Sequence, residues 1–215
     1  MGTVPESSED DPDAEGSVQS PDRLITLADG IFAIAMTLLV LNISVPSGLD
    51  HDHFRSSLHE TWSRLATYAL SFAIIGGQWL DHHRVFRLVK RTNTVVVRLT
   101  LLLLGLVALL PFPTALLSDY GGHEPLAVVY YAVTVGAINL LLLGLFLTVR
   151  NDERLQARPI SDRFARGMIA DCGATIAIAA VAVLVALTVS AGAGLFTWLA
   201  AFPAGMASRR LRKES

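Results

Sequence analysis

The sequence predicts an all-α integral membrane protein with six transmembrane helices and both termini in the cytoplasm. Three observations carry that prediction. Of the 215 residues, 52% are hydrophobic and 17% charged, with a mean hydropathy of +0.49; a soluble domain is roughly a quarter charged. The apolar residues are blocked into runs of about 20, the length a helix needs to cross a bilayer. Finally, Lys and Arg are concentrated in every second connection between those runs.

Taken in order, residues 1–22 hold Glu6, Glu9, Asp10, Asp11, Asp13, Glu15 and Asp22 with no Lys or Arg. This acidic stretch, rich also in Pro, Gly and Ser, cannot bury a core and is expected to be disordered. It lacks the basic n-region of a secretory signal, so the first apolar run is expected to stay in the mature protein. That run covers residues 24–44. The second, residues 61–81, reads "TWSRLATYALSFAIIGGQWLD"; the third, residues 94–117, contains Pro111 and Pro113, which should bend or end its helix. Residues 125–149, 167–190 and 193–208 supply the fourth, fifth and sixth. Gly192 and Gly194 leave only a tight turn between the last two, which predicts an antiparallel hairpin. The membrane unit thus spans residues 23–208, and a short basic tail, residues 209–215, follows it.

The connections set the direction. Arg84, Arg87, Lys90 and Arg91 lie between runs two and three, and Arg150, Arg154, Arg158, Arg163 and Arg166 between four and five. Arg209, Arg210, Arg212 and Lys213 follow run six. Residues 118–124 and 191–194 have no Lys or Arg, and residues 45–60 have only Arg55. The positive-inside rule therefore places both termini and the two basic loops in the cytoplasm of a multi-pass cell-membrane protein. The acidic tail does not oppose this, because the rule counts Lys and Arg rather than net charge.

Several function classes lose support. Cys172 is the sole cysteine, so no intrachain disulfide can form, and it reads as a small core residue. No basic patch with interleaved aromatics suggests nucleic-acid binding. The connections are too short for a soluble catalytic domain and show no nucleophile–base pair, so an enzyme is not predicted.

The informative polar residue is Asp29. A carboxylate inside a membrane span is costly and implies a use. On a helical wheel centred on Ile34, the side chains of Arg23, Leu27, Leu38 and Leu41 fall within about 40° of it, with Thr37 on the flank, whereas Asp29 lies about 220° round. The aliphatic stripe by itself reads as ordinary helix packing. Asp29, facing another way, reads as a structural hydrogen-bonding group. Its partners are expected at the returning end of run two, "GGQWLDHHRVF", where Trp79, His82 and His83 can all donate. Neighbouring His82 and His83 point about 100° apart, unlike the i, i+4 pair that grips one metal ion, so no metal is predicted. Asn139 reads as an interhelical hydrogen bond and Asp171 as an interfacial group.

Arg23, the tripeptide Leu27-Ala28-Asp29 and the run "GIFAIAMTLLVLNI" together resemble the first-span signature of the bacterial relatives of the lysosomal potassium channel transmembrane protein 175. "SFAIIGGQWLDHHRVFR", "NTVVVR" and "LLPFPTALL" are similar to that family as well. Leu27 and Ala28 stand where the family has Phe and Ser, which removes a hydroxyl from the polar network. The resemblance implies a potassium-permeable cation channel without further cofactor, a homotetramer whose axis is lined by the first helix. By position it implies Ile34 as the narrowest ring, Leu38 and Leu41 as further layers, and Thr37 as a hydroxyl linked to potassium preference. It also implies a structural network of Arg23, Asp29, Trp79 and His82 or His83. A secondary transporter or proton-coupled permease is the alternative, motivated by Asp29, Asp171 and the His pair; the sequence shows no inverted repeat in its favour.

Overall fold

A computed structural model describes residues 20–42, 51–194 and 197–198, and every described element is helical apart from turns and one isolated bridge. Helix α1, Pro21–Leu38, starts with a proline in its first turn, where the missing N–H costs no helical bond. It tightens into a 3-10 turn over Leu39–Asn42. Leu24, Ala28, Phe32, Ala35 and Leu39 recur at three- and four-residue spacing and are buried, so one stripe of α1 faces the bundle. Helix α2, His51–Phe86, has 36 residues and extends beyond both ends of the expected run at 61–81. At 1.5 Å per residue that is about 54 Å, more than a bilayer's hydrocarbon core.

The third run divides as its prolines predict. Helix α3, Thr94–Leu109, begins at Asn93, whose side chain accepts from Val96 N at 2.8 Å. Helix α4, Pro111–Tyr120, follows after Leu110. Pro111 has no N–H for the continuing ladder, so the helix breaks there. Helix α5, Pro125–Asn151, is the hub: Tyr131, Val135, Ile138, Leu142, Leu145, Phe146 and Val149 are fully buried. Helix α6, Asp162–Thr188, packs on it through small residues. A Cβ on Gly136 would lie 3.2 Å from the Ala179 Cβ, so the two backbones approach closely.

Beyond α6 the chain reverses. Ser190 Oγ accepts from Ala193 N at 3.2 Å. At Gly194 a Cβ would come within 2.9 Å of the Ala186 Cβ and 3.0 Å of the Ala182 carbonyl oxygen, so only glycine lets the returning chain lie on α6. Trp198 is buried edge-on against Tyr131, with ring centroids 5.7 Å apart. Most of the sixth run at 193–208, residues 1–19 of the acidic tail and the basic tail at 209–215 lie outside the described residues. Four described stretches are long and apolar enough to cross a membrane: Pro21–Leu41, Thr94–Tyr120, Pro125–Asn151 and Asp162–Thr188. The second expected span falls in α2, whose described part carries the buried polar residues Thr67, Ser71, Gln78, Asp81 and His82.

The two basic connections meet at one end of the bundle. Val89 and Gln156 form an antiparallel bridge, with Lys90 N donating to Leu155 O at 2.7 Å and Ala157 N to Leu88 O at 2.8 Å. Gln156 Nε2 also donates to the carbonyls of Val149 and Arg150, occupying acceptors left open at the end of α5. The N-terminus of α1 lies at this same end, because Asp29, in its third turn, bonds to Trp79 near the end of α2.

Candidate functional site

The site begins with what α1 buries and what it leaves uncovered. Its inner stripe packs against α2 and α3. The opposite side carries large aliphatics that its own bundle does not cover: Ile34 is 59% exposed, Leu38 40% and Leu41 72%. Thr37 is exposed on the same side, and its hydroxyl donates to the Ile34 carbonyl at 2.8 Å. The hydroxyl proton is thus held by the backbone, and the oxygen keeps lone pairs directed away from the helix. Leu27 is exposed in line with this stripe.

Asp29 faces α2. Trp79 Nε1 donates to Asp29 Oδ1 at 2.8 Å, and His83 Nε2 lies 3.4 Å from the same oxygen. The Trp79 and His83 rings pack at a 53° tilt with centroids 4.6 Å apart, and His83 Nδ1 is 3.3 Å from the Trp79 carbonyl oxygen. One carboxylate, one indole and one imidazole therefore clamp α1 to α2 one and a half turns below Ile34. The clamp lies on a half-exposed edge of the bundle, where the Asp29 side chain is 47% accessible.

Of the two candidate histidines, His83 is the one beside Asp29. His82 is fully buried, its ring against Phe86 at 4.4 Å and Phe32 at 6.0 Å, with neither nitrogen hydrogen-bonded among the described residues. Arg23 is exposed and has no ion pair among the described residues, so it does not join the Asp29 cluster. Ala28, one residue before Asp29, is fully buried and offers the cluster no hydroxyl.

Two further features are not expected from the sequence, and a third departs from its expectation. Ser71, Thr114 and Tyr131 form a buried hydroxyl cluster joining α2, α4 and α5, with Ser71 Oγ 3.0 Å from Tyr131 Oη and Thr114 Oγ1 donating to Ser71 Oγ at 3.2 Å. Asp81, nearly fully buried, pairs with Arg84 at 2.7 Å. The amide of Asn139 donates to the Val135 carbonyl at 3.0 Å, within its own helix; the interhelical bond expected for it is replaced by this i−4 contact, which a short polar side chain reaches without a neighbour. Among the described residues no group of three His, Cys, Asp or Glu is placed to hold a metal ion, and Cys172 is buried.

Residues 23–111, the stretch holding α1, the Asp29–Trp79–His83 clamp and α3, match the family described as "Endosomal/lysosomal potassium channel TMEM175". A potassium channel of Chamaesiphon minutus is 40% identical over 140 residues, which make up 63% of this chain and 69% of that protein. The chain belongs to the TMEM175 family. A potassium channel of Streptomyces collinus is 42% identical over 98 residues, 46% of this chain; the match spans about half of that relative, 48% of its length. The crystal structure of a lysosomal potassium-selective TMEM175 homologue from Chamaesiphon minutus superimposes with a TM-score of 0.64 at 31% identity, covering 84% of this chain and 97% of that one. The TMEM175 fold accounts for a multi-pass helical membrane protein of an ion-channel family rather than of an enzyme class.

Proposed function

We propose that the chain is one subunit of a potassium-permeable cation channel, a homotetramer whose axis is lined by α1, with both termini in the cytoplasm. The observation that carries this reading is the division of α1 into two faces. Asp29, Trp79 and His83 hold one side to α2, and Ile34, Leu38 and Leu41 stand uncovered on the other. The potassium channels among its relatives support the permeant ion.

On this reading Ile34 forms the narrowest ring, Leu38 and Leu41 add layers, and Thr37 flanks the path with a hydroxyl oxygen. Four aliphatic side chains meeting on an axis offer nothing to replace an ion's hydration shell, so a closed ring excludes ions by dewetting, and conduction requires the rings to separate. A carbonyl-lined filter of Thr-Val-Gly-Tyr-Gly type has no counterpart: Thr134-Val135-Gly136 continues as Ala137-Ile138 inside α5. Selectivity then rests on ring size, ion hydration and Thr37, which predicts a modest preference for potassium. Reconstitution into liposomes, with potassium, sodium and proton flux measured at set voltages, tests the reading. Passive, voltage-driven potassium flux fits it; flux that saturates and is stoichiometrically coupled to protons replaces it with a permease.

A further inference from the structure

We propose that the acidic segment 1–19 docks, by ion pairing, on the basic face made where the α2–α3 and α5–α6 connections meet. That face is built, not merely basic in sequence. The Val89–Gln156 bridge and its flanking backbone bonds pin the two connections together, so their cations share one surface. Arg84 and Arg150 are already engaged by Asp81 and Asp162. Arg87, Lys90, Arg91, Arg154, Arg158, Arg163 and Arg166 are exposed and have no carboxylate partner among the described residues. Asp152 and Glu153 are the other acids on this face, and Asp152 is turned back to accept from Arg154 N.

Charge and the point where the chain enters α1 identify the occupant. Segment 1–19 holds Glu6, Glu9, Asp10, Asp11, Asp13 and Glu15 with no Lys or Arg, so its sign complements the face throughout. It joins α1 at Ser20, and the Asp29–Trp79 bond puts that end of α1 beside the end of α2 from which the first basic connection leaves. Nineteen residues reach about 65 Å extended and about 25 Å as a coil. Two or three helix diameters, about 20–35 Å, separate α1 from the farthest part of the face. Tethering keeps the acidic segment at high effective concentration over its target, which anionic lipid headgroups must then outcompete.

Lys90 makes the docking measurable, because Lys90 and Lys213 are the chain's lysines. The full-length protein in neutral-lipid nanodiscs is treated with a carbodiimide, which joins carboxylates to adjacent amines, and linked peptides are identified by mass spectrometry. We expect a link from the segment's acids to Lys90, with a yield at least about five-fold lower at 1 M than at 0.01 M salt, since the screening length falls from about 30 Å to about 3 Å. The triple variant Arg154→Glu, Arg158→Glu, Arg163→Glu should lose it while eluting as wild type. Linkage to Lys213 alone, no link at low salt, or a link indifferent to the triple reversal overturns the proposal. So does loss of the Lys90 link when a third of the lipid is made anionic at constant salt, which assigns the face to headgroups.

Discussion

Trp79 Nε1 donates to Asp29 Oδ1 at 2.8 Å, a bond between α1 and α2 that agrees with the rotation of α1 set by its buried stripe of Leu24, Ala28, Phe32, Ala35 and Leu39. Asp29 and Ile34 are five positions apart, which sets them on roughly opposite sides of the helix. With the carboxylate held to α2, Ile34, Leu38 and Leu41 stand on the side of α1 that the chain's own bundle leaves uncovered.

Changing the clamp should accordingly act on assembly. Asp29→Asn keeps an oxygen for Trp79 and is expected to assemble. Asp29→Leu removes the acceptor and leaves the indole N–H unpaired, at a cost on the order of 1–2 kcal/mol per interhelical bond. Thermal unfolding monitored by size exclusion should rank wild type above Asn above Leu. A Leu variant that assembles normally while ion selectivity alone collapses would place Asp29 on the conduction path instead.

The buried hydroxyl cluster predicts a different kind of loss. Tyr131→Phe keeps the ring and its contact with Trp198 but removes the partner of Ser71, whose Oγ still accepts from Thr114. About 1 kcal/mol of stability should go, with the oligomer intact. A melting temperature equal to wild type shows that the Tyr131 hydroxyl contributes nothing net.

Orientation is open to labelling in intact cells. Cys172 is buried, so its background should be low. A Cys introduced at position 10 or 213 should resist an impermeant thiol reagent applied from outside, as should one at 91 or 158 in the basic loops. Labelling of position 10 from outside contradicts the assignment of cytoplasmic termini.

Much of α1 is legible in the sequence alone, because a 3.6-residue period separates Asp29 from Ile34 without reference to other helices. The bond from Asp29 to Trp79 could be anticipated as well, since antiparallel runs bring the same membrane depth together. His82 and His83 could not be told apart: adjacent positions differ by about 100°, and only the rotation of α2 within the bundle decides which faces α1. Arg23 lies in the stripe's own direction and so misses the clamp. Ser71, Thr114 and Tyr131 lie far apart in sequence and carry no pattern of their own; only the packing of α2, α4 and α5 joins them. The bridge from Val89 to Gln156 was hidden for the same reason. Pro111, by contrast, announces the break between α3 and α4 through its own covalent chemistry.

The proposed gate is Ile34, and flux through purified Ile34→Asn protein in liposomes probes it. Asn brings polar atoms to the proposed ring and lies on the side of α1 away from the Asp29 clamp, so the tetramer should still form. Basal potassium flux should rise above wild type and the preference over sodium should weaken, with Leu41→Ala having the smaller effect because it is one of several layers. An Ile34→Asn protein that assembles as a tetramer yet conducts no more than wild type, with unchanged selectivity, contradicts the placement of Ile34 at the constriction.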